Sequence, residues 1–139
     1  MNGRQKGATT VEFALVFLVL LMFVLGLLDF ARLLYTWNAA TEATRAGARY
    51  AVVCADPSSN DHVLAKMQAL MPQIATISVN WEPAGCDASN CEAATVSVTN
   101  LSFQWIAPLP GALTRPLVML PGFSTYLPRE MMSYNPLIC

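Results

Sequence analysis

GATTVEFALVFLVLLMFVLGLL, residues 7–28, carries a single charged side chain, Glu12, and from Phe13 to Leu28 none at all. Counted from Ala8, the 21 residues would rise about 31 Å as an α-helix, close to the hydrocarbon thickness of a bilayer. Residues 8–28 therefore read as one membrane span. Arg4, Lys6 and the initiator amine precede it, and no comparable basic cluster follows, since Asp29 offsets Arg32. The positive-inside rule then puts residues 1–7 in the cytoplasm as a short leader and carries the rest of the chain across the membrane. A cleavable secretory signal shares the basic start, but its apolar core is shorter. It also needs a small-x-small site, whereas the chain after Leu28 reads DFARLL.

Outward from the span the composition splits. Residues 1–55 hold five basic and three acidic residues and no proline, whereas residues 56–139 hold three basic, six acidic and all nine prolines. Proline breaks helices, so the first part can be one uninterrupted helix and the second must turn repeatedly. The whole chain of 139 residues is 55% hydrophobic with a net charge of −1. That excludes a disordered chain and leaves no electrostatic basis for nucleic-acid binding.

Past Leu28 the apolar residues become periodic. Phe30, Leu33, Leu34, Trp37, Ala40, Gly47, Ala48 and Ala51 share one helical face with Thr44 as its only polar member, while Asp29, Arg32, Thr36, Asn38, Glu42, Arg45 and Arg49 fall largely elsewhere. Tyr35 and Trp37 suit a membrane interface or the start of a globular core. A helix from Ala8 to Val53, with residues 29–55 as its amphipathic half, would extend about 69 Å and so enter a second compartment. The small-residue stripe suits a close seat for the chain's own head; the alternative is packing between subunits, with the Thr44 hydroxyl bonded to its own helix backbone.

Residues 56–139 read as a small head domain. Asp56 and Pro57 end the long helix, and Ser58 to Asp61 offer N-caps for a second one whose apolar face, Val63, Leu64, Met67, Leu70 and Met71, ends at Pro72. Ile77, Val79 and Trp81 alternate with polar residues as a half-buried strand, and Val96 and Val98 do the same. Leu101, Phe103 and Trp105 continue on the opposite parity, which predicts a bulge or break near Asn100. Phe123 to Tyr134 suits an edge strand containing Pro128, and six prolines after Ala107 predict little other regular structure. The expected fold class is α+β: a long N-terminal helix packed on a small antiparallel sheet of about three strands, with a second short helix.

Four cysteines, Cys54, Cys86, Cys91 and Cys139, allow three pairings. The turn-forming DASN between Cys86 and Cys91 favours that pair, leaving Cys54 with Cys139. Zinc is disfavoured because no C-x-x-C spacing occurs, and Glu82, Asp87 and Glu92 lack the ligand ladder of a calcium loop. His62 is the only histidine, and no phosphate-binding loop, G-x-S-x-G or H-E-x-x-H appears. No cofactor, metal centre or catalytic residue is expected; the chain is not read as an enzyme.

Glu12 is the residue that the membrane reading must explain, because a carboxylate within a span costs about 2.5–3.5 kcal/mol unless it reaches an interface or a cation. A cut after Gly7 would create an amine on Ala8, four residues away. In these residues the string KGATTVEFALV resembles the processing site of type IV pilin-like proteins. More narrowly, residues 7–51, with G-A-x-x-V-E-F-A-L, the later D-F-x-R and R-A-G-A-R-Y, resemble the TadE family of minor pilins, or pseudopilins, of the tight-adherence (Flp) pilus. Where many relatives carry a proline soon after this motif, the chain has Phe17 and Leu18. The resemblance implies a pilin-like fold in the bacterial inner membrane with the head in the periplasm, and cleavage between Gly7 and Ala8 by a prepilin peptidase. It also implies assembly through Glu12 and Phe13 with other pilin subunits and an inner-membrane platform, in adherence and biofilm formation. The competing expectation is an unprocessed, single-pass periplasmic scaffold or binding protein.

Overall fold

The computed structural model describes residues 5–54, 60–87, 90–107 and 117–129. One helix, α1 (Gln5–Cys54), takes up the span and the amphipathic stretch without interruption, passing through Phe17 and Leu18. It is followed by α2 (Asp61–Leu70), β1 (Ile77–Glu82), β2 (Ala93–Val98), β3 (Ser102–Gln104), β4 (Leu117–Met119) and β5 (Phe123–Pro128). The chain divides into two compact units, residues 1–34 with 103–118 and residues 35–102 with 119–139.

In the second unit, β2 is the centre of an antiparallel sheet of order β1-β2-β5, with Val96 opposite both Val79 and Thr125. The expected alternation holds: Ile77, Val79 and Trp81 are half-buried, and Ala94, Val96 and Val98 are buried on one face of β2. On the other face Ser78 and Ser97 hydroxyls meet across the strands at 2.7 Å. Pro128 ends the edge strand β5, where a missing N–H removes no central ladder bond; the expected continuation to Tyr134 lies outside the described residues.

Helix α1 seats this sheet with small residues. Ala40, Ala43, Thr44, Ala48 and Ala51 are buried, the Thr125 hydroxyl of β5 donates to the Thr44 oxygen at 3.2 Å, and Trp37 meets Phe123 edge-on at 5.0 Å. Thr44 in turn donates to the Thr41 carbonyl at 2.8 Å, so its buried hydroxyl both donates and accepts. Gly47 lets α2 approach: a Cβ there would lie 2.5 Å from Sδ and 2.8 Å from Cγ of buried Met67. The expected apolar face of α2 is narrower than the sequence pattern, with Val63, Met67 and Met71 buried but Leu70 exposed. No side-chain hydrogen bond caps α2 at Asn60; the Asn60 carbonyl accepts from Leu64 N–H at 2.9 Å.

The parity change near Asn100 is a break. Asn100 adopts the left-handed φ of 63°, which asparagine tolerates better than most residues. Beyond it β3 leaves the main sheet and pairs with β4 in a separate two-stranded sheet, an element that the proline-rich composition concealed.

Candidate functional site

At its N-terminal end α1 exposes Gly7, Ala8, Glu12 and Phe13. The Gly7–Ala8 bond lies near the start of the described part of α1. A Cβ at Gly7 would meet nothing within 4 Å. Phe13 stacks on Phe17 one turn later, with ring centroids 5.9 Å apart. Among the described residues no hydrogen bond or ion pair engages the Glu12 carboxylate. An 18-residue window of this helix has mean hydropathy 2.9 and none of it is buried within the chain, the condition of a surface that meets lipid.

A second carboxylate stands just beyond the opposite end of the apolar run. Asp29 is 0% exposed. Its Oδ2 accepts the backbone N–H of Ile106 at 2.8 Å and of Ala107 at 2.6 Å, and its Oδ1 pairs with Arg32 Nη1 at 2.8 Å. Burial by itself would raise the carboxyl pKa; the Ala107 and Ile106 N–H groups and the Arg32 guanidinium outweigh it, so the pKa lies below the ordinary value. The guanidinium also lies 5.2 Å from the Phe103 ring centroid, and Phe103 meets Trp105 edge-on at 5.7 Å. Asp29 thus ties residues 103–107 to the helix turn that follows the span.

The family model described as TadE-like protein matches residues 7–49. Over these residues the chain is similar to the TadE-like family. No curated protein and no solved structure matches the chain. The TadE-like segment contains Gly7, Ala8, Glu12, Phe13, Asp29 and Arg32 and ends at Arg49, within α1. It implies a part in a Tad pilus system and a structural rather than enzymatic role, and its long apolar helix is consistent with a single-pass membrane anchor.

Asp29 corrects the expectation for the TadE-like helix. The helical projection placed it away from the buried face together with Thr36, yet both are buried, while Phe30, Leu34 and Trp37, assigned to that face, are exposed. The buried stripe is rotated toward Asp29, Thr36, Ala40 and Ala43, because small and polar side chains there accept backbone and sheet at close range. An aspartate followed by arginine at i+3, directly after an apolar run, was the available signal.

The remaining expected sites lie in the second unit. Cys86 and Cys91 form a disulfide. The turn between them is closed by Asp87 N–H donating to Asn90 Oδ1 at 2.6 Å and Cys91 N–H donating to the Asp87 carbonyl at 3.1 Å, and Gly85 enters it at a φ of 79° that glycine adopts without steric cost. The Cys54–Cys139 pairing falls on Cys139, outside the described residues. Among the described residues, no three His, Cys, Asp or Glu side chains converge as a metal centre requires. His62 is exposed on the first turn of α2. A groove of about 780 Å³, lined by Arg45, Arg49, Tyr50, Lys66, Leu70 and Leu127 among others, lies in this unit, with Lys66 over the Tyr50 ring at 5.8 Å; the sequence pattern gave no sign of it.

Proposed function

We propose that the chain is a minor pilin-like subunit of a Tad (Flp) pilus. Residues 8–28 insert it in the bacterial inner membrane, residues 29–55 continue the helix, residues 56–139 form a periplasmic head, and a prepilin peptidase cuts between Gly7 and Ala8. The observation that carries this reading is the TadE-like segment opening at Gly7, with the Glu12 carboxylate five residues on and no partner for it among the described residues. Cleavage creates an amine at Ala8, and positions i and i+4 of a helix share a face. Glu12 therefore pairs with an Ala8 amine, of its own or a neighbouring subunit, and mismatched registers that leave it without a cation are disfavoured.

Loss of Met1 to Gly7 removes Arg4 and Lys6 and takes the net side-chain charge from −1 to −3. The partners of this reading are the peptidase, other pilin and minor pilin subunits, the inner-membrane assembly platform and the bilayer; the subunit acts in initiation, tip formation or assembly of a pilus used for adherence. Intact mass of the protein from native membranes tests it. Cells with active peptidase should yield chains beginning at Ala8, and peptidase-deficient cells should yield the leader intact. Chains retaining Met1 to Gly7 in both would overturn processing and leave an anchored scaffold.

A further inference from the structure

Apolar exposure does not stop where the span ends. Phe30 and Leu34 are 54% and 49% exposed on α1, and in the same unit Ile106, Leu117 and Val118 are 46%, 61% and 39% exposed. Met119 is exposed as well, so all three residues of β4 are. Successive strand residues face opposite sides, so both faces of β4 present apolar side chains. In water such a run is unfavourable.

The hydrogen bonds of Asp29 set the depth of this surface. Asp29 follows Leu28 by one residue, a rise of about 1.5 Å, and holds the Ile106 and Ala107 N–H groups at 2.8 and 2.6 Å. Arg32, about 4.5 Å further along the axis, lies 5.2 Å from the Phe103 ring of β3. Strand β4 runs beside β3, at the usual spacing of about 4.8 Å. The headgroup layer beyond the hydrocarbon is about 5–7 Å thick on each side. If residues 8–28 fill the hydrocarbon, residues 103–107 and their neighbour β4 fall at or beside that layer.

We propose that Ile106 and the β4 residues Leu117 and Val118 bury their side chains in the leaflet from which the span emerges, so that the chain is held by a span and an apolar ribbon together. The occupant is lipid because exposed apolar side chains reach the level at which Ile106 is pinned: Leu27 and Leu28 close the span, and Phe30 follows Asp29 by one residue. The proposal rests on the reading of residues 8–28 as a membrane span, and the test separates the two.

The full chain is reconstituted in phosphatidylethanolamine and phosphatidylglycerol vesicles with p-benzoylphenylalanine replacing Phe23, Val118 or His62 in turn, and adducts formed on irradiation are identified by mass. The span position, Phe23, reports lipid contact, and exposed His62 sets the background for a position off the apolar surface. Lipid adducts at Val118 in yield comparable to Phe23 are the expected result. Adducts at Val118 no higher than background, or only to a second copy of the chain, while Phe23 captures lipid, would overturn the ribbon and spare the span. Background yield at Phe23 would sink both.

Discussion

Replacing Asp29 by alanine removes the acceptor of two backbone N–H groups and the partner of Arg32 in one step. The three losses are unequal. The Ala107 bond is buried and the Ile106 bond only partly so; an orphaned buried N–H costs about 1–3 kcal/mol, whereas one that water reaches costs less. Arg32 is 47% exposed, so its guanidinium regains water and its pairing contributes at most about 1 kcal/mol. The local destabilisation should therefore be about 2–3 kcal/mol, which accelerates amide exchange at Ile106 and Ala107 roughly 30- to 150-fold. Asp29→Asn keeps an oxygen that can accept both N–H groups but loses the charge and turns an amide toward Arg32. It should fall between wild type and Asp29→Ala, near about 1 kcal/mol.

Hydrogen exchange of the full chain in vesicles or micelles reads these amides directly. Unchanged protection in Asp29→Ala would refute the pinning of residues 103–107 to α1, and exchange in Asp29→Asn as fast as in Asp29→Ala would refute the assignment of the acceptor role. The lowered carboxyl pKa sets the sign with pH. A group whose folded pKa lies below its unfolded value stabilises fully above the unfolded value, about 3.9 for aspartate, and ceases to do so as pH falls through the folded value. After correction for intrinsic exchange, protection should be flat from neutral pH down to about 5 and decline only below about 4.

Two further outcomes concern the second unit. Gly47→Ala gains about 1 kcal/mol of helix propensity but overpacks against Met67 at a cost of about 1–3 kcal/mol, so denaturation of the full chain should show a net loss. In a Met67→Ala background the same change should become neutral or stabilising, and an equal effect in both backgrounds would remove the proposed contact. Replacing Cys86 and Cys91 together by serine should cost about 2 kcal/mol, the entropy of closing so short a loop. No measurable loss would mean that the hydrogen bonds of Asp87 and Asn90 already hold the turn.

The long helix, α2, β1, β2 and the edge strand were legible because each carries a period that burial imposes. Ile77, Val79 and Trp81 alternate, Val63 and Met67 lie one turn apart, and nothing breaks the chain from residue 7 to residue 51. The separate β3-β4 sheet was not legible: β4 is three apolar residues long, too short for a period, and the parity change near Asn100 left a bulge and a break as alternatives without naming a partner for β3. Asp29 was misplaced for a related reason. Hydropathy assigns aspartate to the wet face, and the two N–H groups that, with Arg32, make a dry position tolerable arrive from residues 106 and 107, distant in sequence. Gly7 and Glu12 stand out through the resemblance of this segment to TadE-like proteins, which the family match over residues 7–49 supports, and their roles are proposals.

Glu12 lies one turn inside the start of the apolar run and Asp29 just past its end, about 26 Å apart along the helix, and a carboxylate left uncompensated in hydrocarbon costs up to about 2.5–3.5 kcal/mol. Asp29 is compensated within the chain by Arg32, Ile106 and Ala107. For Glu12 no such donors occur among the described residues, and the nearest preceding basic residue in the sequence, Lys6, belongs to the leader whose removal is proposed. On the proposed reading, compensation at Glu12 comes from the new Ala8 amine, whereas Asp29 has its partners within the chain. The two carboxylates should accordingly separate by mutation. Glu12→Ala should insert, be cut after Gly7 and leave exchange at Ile106 and Ala107 unchanged, yet fail to enter pili; Asp29→Ala should open residues 106 and 107 while leaving the cut intact. Normal pilus incorporation of Glu12→Ala would refute the register role, and loss of cleavage in Asp29→Ala would show that the two ends of the span are not independent.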